Sequence, residues 1–219
     1  NLNGQLDVPM GSLSWNGDIK TDMGHMNGLM DLNYTNEKLP LQYMMNVNID
    51  SVNWLHFLPQ ASFLGKANMG VYLKGSGFDE HASFEYDINT SSYTLNQRKF
   101  IKASIDGTLD NGKLSGFFNS EDPSALLSAT IEGENIFKNQ VSNIQMKVQN
   151  LDFEKLGFDS VHTAFKGVIE VASSGNDLNT ILGDVTFKNC VFNREDEEFV
   201  LPLQVIRRDI PELVSFSGN

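Results

Sequence analysis

FIKASIDGTLDNGKLSGFF, residues 100–118, decides how the rest of the chain is read. Ile101, Ala103, Ile105, Gly107 and Leu109 fall on one side of an extended chain, and Lys102, Ser104, Asp106, Thr108 and Asp110 on the other. Side chains of a strand alternate between faces, so this is a strand with one apolar and one wet face. Asp110-Asn111-Gly112 then supplies residues that accept positive φ, and Leu114, Gly116 and Phe118 resume the alternation, which is the pattern of a hairpin. A hairpin cannot bury its apolar face alone, so the remaining chain has to add strands.

It does so on both sides. Trp15, Gly17 and Ile19 share a face; a turn is expected at Asp22–Gly28; Met30, Leu32 and Tyr34 follow, and residues 36–40 connect to Leu41, Tyr43, Met45, Val47 and Ile49. Further strands are expected around Val71 and Leu73, around Phe84, Tyr86 and Ile88, and over Tyr93 to Gln97. After a turn at Asp122-Pro123 come Leu127, Ala129 and Ile131, then Ile144, Met146 and Val148, then Phe165, Gly167, Ile169 and Val171. Val185, Phe187 and Val191 precede an acidic turn at Arg194–Glu198 and a last strand over Phe199–Ile206. Two segments break the alternation. Val52–Leu64 is too dense in apolar residues for a half-exposed strand and is expected to be a helical turn or buried loop capping the sheet. Asn176–Leu182 reads as a loop or helical turn capped by Asp177.

Asn48-Ile49-Asp50 recurs as Asn150-Leu151-Asp152, and Gly77-Phe78-Asp79 as Gly175-Asn176-Asp177, both at offsets near 100 residues. The expectation is one elongated β segment over 1–219, built of two repeats at about 40–140 and 141–219.

The composition narrows the function classes. The 219 residues are 40% hydrophobic with 15 Phe, ample for a core. The net charge is −12, with 16 basic residues against 28 acidic ones, which argues against nucleic acid as a partner. No apolar run is long enough for a spanning helix. The chain begins at Asn1 without a methionine, as a mature product or an internal piece would. The lone Cys190 sits in an apolar run beside acidic residues, where a thiol acts as a small buried hydrophobe.

Residues that carry chemistry are sparse. His25, His56, His81 and His162 are far apart in sequence and none adjoins the cysteine, so no paired-ligand spacing for a metal appears. There is no nucleophile elbow and no phosphate loop. Glu195-Asp196-Glu197-Glu198 lacks the spacing of a calcium loop and reads as a solvated hairpin tip. No catalytic residue, cofactor or metal is expected, and the chain reads as a non-enzyme. What remains is strand after strand with one apolar face, which either packs on itself or holds something apolar.

The run KGSGFD (Lys74–Asp79), the stretch Ile101–Gly133, MKVQNLDFEKLGF (Met146–Phe158) and SSGNDLNTILGDVTFKNCVF (Ser173–Phe192), in that order and spacing, resemble the TamB/AsmA superfamily of envelope proteins in its Bacteroidetes form. The resemblance covers roughly residues 65–195. It implies an all-β, mainly antiparallel fold: an extended sheet curled into a trough with an apolar inner face and one or two short helical turns. It also implies a periplasmic location in the envelope of a Gram-negative bacterium, with the full-length protein anchored in the inner membrane. The implied role is phospholipid transport to, or protein assembly in, the outer membrane, with lipid acyl chains and an outer-membrane assembly protein as partners. At a strand spacing near 4.8 Å, a dozen strands would span on the order of 55 Å. The residues expected to line the groove are Ile101, Ile105, Leu109, Leu127, Ile131, Ile144, Met146, Val148, Phe165, Ile169, Phe187 and Val191. The alternative is a structural or adhesive β-sandwich module of a surface protein whose apolar faces meet each other. In either case exposed edge strands favour dimers of the isolated segment.

Overall fold

The computed structural model describes residues 2–22, 24–34, 40–53, 64–95, 97–138, 140–175, 182–210 and 213–218. The structure is almost entirely antiparallel β with one short helix, the fold class that the alternation calls for. The chain divides into two compact units, Asn1–Asn111 and Gly112–Asn219. The expected repeat boundary near 140 instead falls inside the second unit, between two strands that pair. Asn111 and Gly112 both have positive φ, 48° and 78°, the backbone of a two-residue type I′ turn. Of the segments expected at 36–40, Val52–Leu64 and Asn176–Leu182, residues 36–39, 54–63 and 176–181 lie outside the described residues.

The first unit holds β1 (Leu2–Asp7), β2 (Ser12–Thr21), β3 (Gly24–Asn33), β4 (Gln42–Asn53), β5 (Leu64–Ser76), β6 (Ser83–Leu95) and β7 (Arg98–Asp110). Each pairs antiparallel with its neighbour in sequence. The turn expected at Asp22–Gly28 is tighter than the sequence suggested, since Gly24 already pairs with Thr21. Register builds apolar rows straight across the strands. One row runs Trp15, Met30, Met45, Leu73, Tyr86, and another runs Leu13, Leu32, Tyr43, Gly75, Phe84, Leu109. The opposite face carries Ser14, Asp31, Met44, Lys74, Glu85 and Thr108 in one row and Asp18, Asn27, Asn48, Gly70 and Asn89 in the next.

Alternation does not hold along the whole length of these strands. Register shifts in β4 between Ile49 and Val52, and between β5 and β6 at Asn68/Met69, slip the pattern by one residue. Ser51 and Lys102 take positive φ, 58° and 43°. Beyond this line the apolar row is Val52, Ala67, Tyr93 and Phe100. Phe100 is 2% exposed and stacks on Tyr93 with ring centroids 5.4 Å apart. Ile101 is thereby turned to the other face, opposite Ser92, and is 44% exposed. Its expected place on the apolar face is corrected: a bulge adds one residue, and one residue exchanges the two faces.

The second unit holds β8 (Lys113–Asp122), β9 (Ala125–Glu134), β10 (Val141–Asp152), α1 (Phe153–Leu156), β11 (Thr163–Ser174), β12 (Leu182–Arg194), β13 (Glu197–Leu201), β14 (Gln204–Ile210) and β15 (Leu213–Gly218). β8 to β12 pair in sequence order. β12 then meets two strands along one side, β14 against its first half and β13 against its second. The expected single strand Phe199–Ile206 is thus broken at Pro202 and Leu203, because a proline has no N–H to give to the ladder. β15 pairs with β14.

The helix lies where the sequence reading placed none. Asp152 caps it by accepting from the Lys155 N–H at 3.0 Å, and Gly157 closes it in a left-handed conformation. Asp152-Phe153-Glu154-Lys155-Leu156-Gly157 carries the cap residue, the first-turn acid and the closing glycine that would have marked it.

Candidate functional site

The apolar face of the second unit is assembled from cross-strand rows. Ile131, Ile144, Val171, Val185 and Ile206 are consecutive register partners. So are Ala129, Met146, Ile169 and Phe187. A second line of register shifts, in β10 between Val148 and Leu151 and in β12 opposite Lys166/Val168, slips the pattern by one. Asn189, at φ 51°, is the extra residue in β12. Beyond the slip lies an aromatic row: Leu151, Phe165, Phe192 and Phe199.

Burial is graded along this face. Val148 (5% exposed), Phe165 (4%) and Cys190 (0%) form the core, with Leu127, Met146, Leu151, Phe153, Ile169, Phe187, Phe192 and Leu201 packed against it. Phe153 of α1 stacks on Phe192, which in turn packs on Phe165 at 4.8 Å. The helix therefore covers the Phe165 end of the face. At the other end Ile131, Ile144, Val171, Val185 and Ile206 are all only half-buried. In the first unit Met26, Ile49 and Met69 form a half-buried row of the same kind.

Of the residues expected to line a groove, Leu127, Ile131, Ile144, Met146, Val148, Phe165, Ile169 and Phe187 share this face of the second unit. Ile105 and Leu109 lie on the apolar face of the first. Val191 does not belong with them. The Asn189 slip aligns it with Lys166 and Val200 on the opposite face, and Cys190 takes the inner position. Burial pushes the Cys190 thiol above its ordinary range, in keeping with a buried apolar role.

The polar faces are built differently. A depression of about 730 Å³ in the first unit includes Asp31, Met44, Lys74, Glu85 and Thr108 along one polar row. One of about 440 Å³ in the second includes Thr130, Gln145, Glu170 and Asp184. Here Lys188 donates to Glu170 at 2.6 Å, and Arg207 makes a two-pronged pair with Asp184 at 2.8 and 3.0 Å. These ladders join neighbouring strands and keep one face wet.

Two titratable clusters form, one across strands and one around α1. His25 lies between Asp18 (2.5 Å from Nε2) and Asp50 (3.4 Å from Nδ1), and its hydrogen bond holds the Asp18 carboxyl below its ordinary range. Asp152, Glu154 and His162 also converge. The Lys155 ammonium sits 3.1 Å from Asp152 Oδ2 and already neutralises that buried carboxylate, which also caps the helix. Asp152 is thus engaged in structure at both oxygens. No helix among the described residues is long and apolar enough to cross a membrane.

No protein-family model, curated protein or solved structure matches the chain.

Proposed function

We propose that the chain is a non-enzymatic periplasmic segment of a TamB/AsmA-like envelope protein. Its apolar sheet faces contact the acyl chains of phospholipid on the way to the outer membrane, or serve assembly of proteins there. The observation that carries this reading is the half-buried row Ile131, Ile144, Val171, Val185 and Ile206. In a sandwich core, residues in such a row lie under a second layer and are sealed from water. Here they keep accessible apolar surface in register from strand to strand. Hydrophobic contact is non-directional, so an acyl chain can shift along such a row without breaking specific bonds. Each methylene moved from water onto it contributes about 0.8 kcal/mol.

The test is native mass spectrometry with lipid extraction of the protein purified from a bacterial envelope, alongside Ile131→Asp and Ile144→Asp. Expected is phospholipid that co-purifies with the wild type and is lost from both variants while their circular dichroism stays β-rich. A lipid-free wild type whose variants unfold would mean that these rows are a closed core, and the β-sandwich alternative would replace this reading.

A further inference from the structure

We infer that the half-buried row from Ile131 to Ile206 is one-ended: at β14 it takes the head group of an amphiphile with an uncompensated negative charge, held by Arg208. The inference rests on the lipid reading above and adds a head-group class to it.

Arg207 and Arg208 are consecutive in β14, so their side chains leave opposite faces of the sheet. Arg207 serves the polar face, through its two-pronged pair with Asp184. Arg208 shares the apolar face with Ile206 and is half-buried there. Its register partner is Gly183, and the row continues through Ser173 and Ser142 to Gly133. In this row, the row from Ile131 to Ile206 and the row from Ala129 to Phe187, Arg208 is the one charged side chain among the described residues. A cation set against apolar surface is costly unless an anion meets it. The guanidinium offers five N–H donors in a planar fork, which suits phosphate or carboxylate and can serve one alongside a partner within the chain.

The surroundings fit such a head. Gly183 carries no side chain, and the strands of Arg208 and Ser173 on either side of it lie two spacings, about 10 Å, apart. The Ser173 hydroxyl borders this stretch. One strand further on, Ser142 Oγ accepts from Gln140 Nε2 at 2.7 Å and keeps its own proton to donate. With the head at this corner, the tail lies along Ile206, Val185, Val171, Ile144 and Ile131, across four strand spacings or roughly 19 Å. The chain as a whole, at −12, repels anions, so a preference for an anionic head has to be local.

Isothermal titration calorimetry below micelle-forming concentrations tests this with dodecyl phosphate and dodecylphosphocholine, which share tail and phosphate and differ by the choline cation. The proteins are the wild type, Arg208→Gln, and Arg207→Gln, which removes the same charge from the opposite face; circular dichroism checks their β content. The wild type is expected to bind dodecyl phosphate about tenfold more tightly, the factor for one charge-assisted hydrogen bond. That preference should vanish in Arg208→Gln and persist in Arg207→Gln. High salt should also erase it in the wild type, a reading that needs no variant to fold. Equal affinity of the wild type for both probes overturns the inference and leaves the lipid reading standing, as does a preference that survives in folded Arg208→Gln. Binding of neither probe removes both. Inorganic phosphate is titrated alone, and binding as tight as that of dodecyl phosphate would make this a site for free phosphate and overturn the amphiphile.

Discussion

Cys190 lies directly over Gly167. A methyl group added at that glycine would come within 2.5 Å of the Cys190 sulfur and 2.9 Å of its Cα. Gly167 also has φ 154°, which side-chain-bearing residues rarely adopt. Gly167→Ala is therefore expected to destabilise the second unit by about 2–4 kcal/mol, through overpacking and backbone strain together. Adding Cys190→Ala removes the sulfur contact but leaves the backbone one, so it should recover only part of the loss. Urea unfolding of the two variants measures both effects. Full recovery would mean that the backbone contact relaxes freely.

The phase slip in β7 reverses what simple alternation says about two adjacent residues. Phe100→Ala is expected to cost about 3–5 kcal/mol, the range for emptying a buried aromatic site. Ile101→Ser, on the exposed face, should stay within about 0.5 kcal/mol. Thermal denaturation of the pair decides the matter, and a larger effect at Ile101 would place the slip elsewhere.

Asp152 links the stability of the second unit to acid. Burial alone pushes its carboxyl up, but the Lys155 backbone N–H, the Lys155 ammonium and His162 outweigh that and hold it below its ordinary range. The folded state thus binds this proton less readily than the unfolded chain does. The contribution is complete above the unfolded carboxyl's range, near pH 4, and fades as pH falls through the lower folded value. Asp152→Asn should flatten the acid limb of the stability–pH profile below about pH 4. Asp152→Ala, which loses the cap as well, should cost about 1–2 kcal/mol at neutral pH. An unchanged acid limb in the Asn variant would show that another carboxyl governs it.

Strand identity was legible in the sequence wherever two-residue alternation ran unbroken, as in Phe84 to Ile88 or Ile144 to Val148. The turn at Asn111-Gly112 was legible from its chemistry. The slips were not. Ser51, Lys102 and Asn189 adopt positive φ without the glycine that would have announced it, so simple alternation puts Ile101 and Val191 on the wrong face. Ile49 precedes the slip in β4, whereas Leu151 follows the slip in β10, so the matching tripeptides do not occupy matching positions. The site was legible as composition, a succession of apolar faces. Its graded burial was not, because that depends on where α1 folds and on which rows it reaches.

The order of the strands has a mechanical consequence. From β1 to β7, each strand is held by its neighbours in sequence. A chain drawn from its first residue would lose β1 from β2, then β2 from β3, breaking a few backbone bonds at a time. Such a structure peels instead of shearing, so its resistance to pulling should come as a train of small, similar force peaks. Run in reverse, the same order lets a chain emerging from a pore add each new hairpin to a finished edge, with no earlier strand displaced.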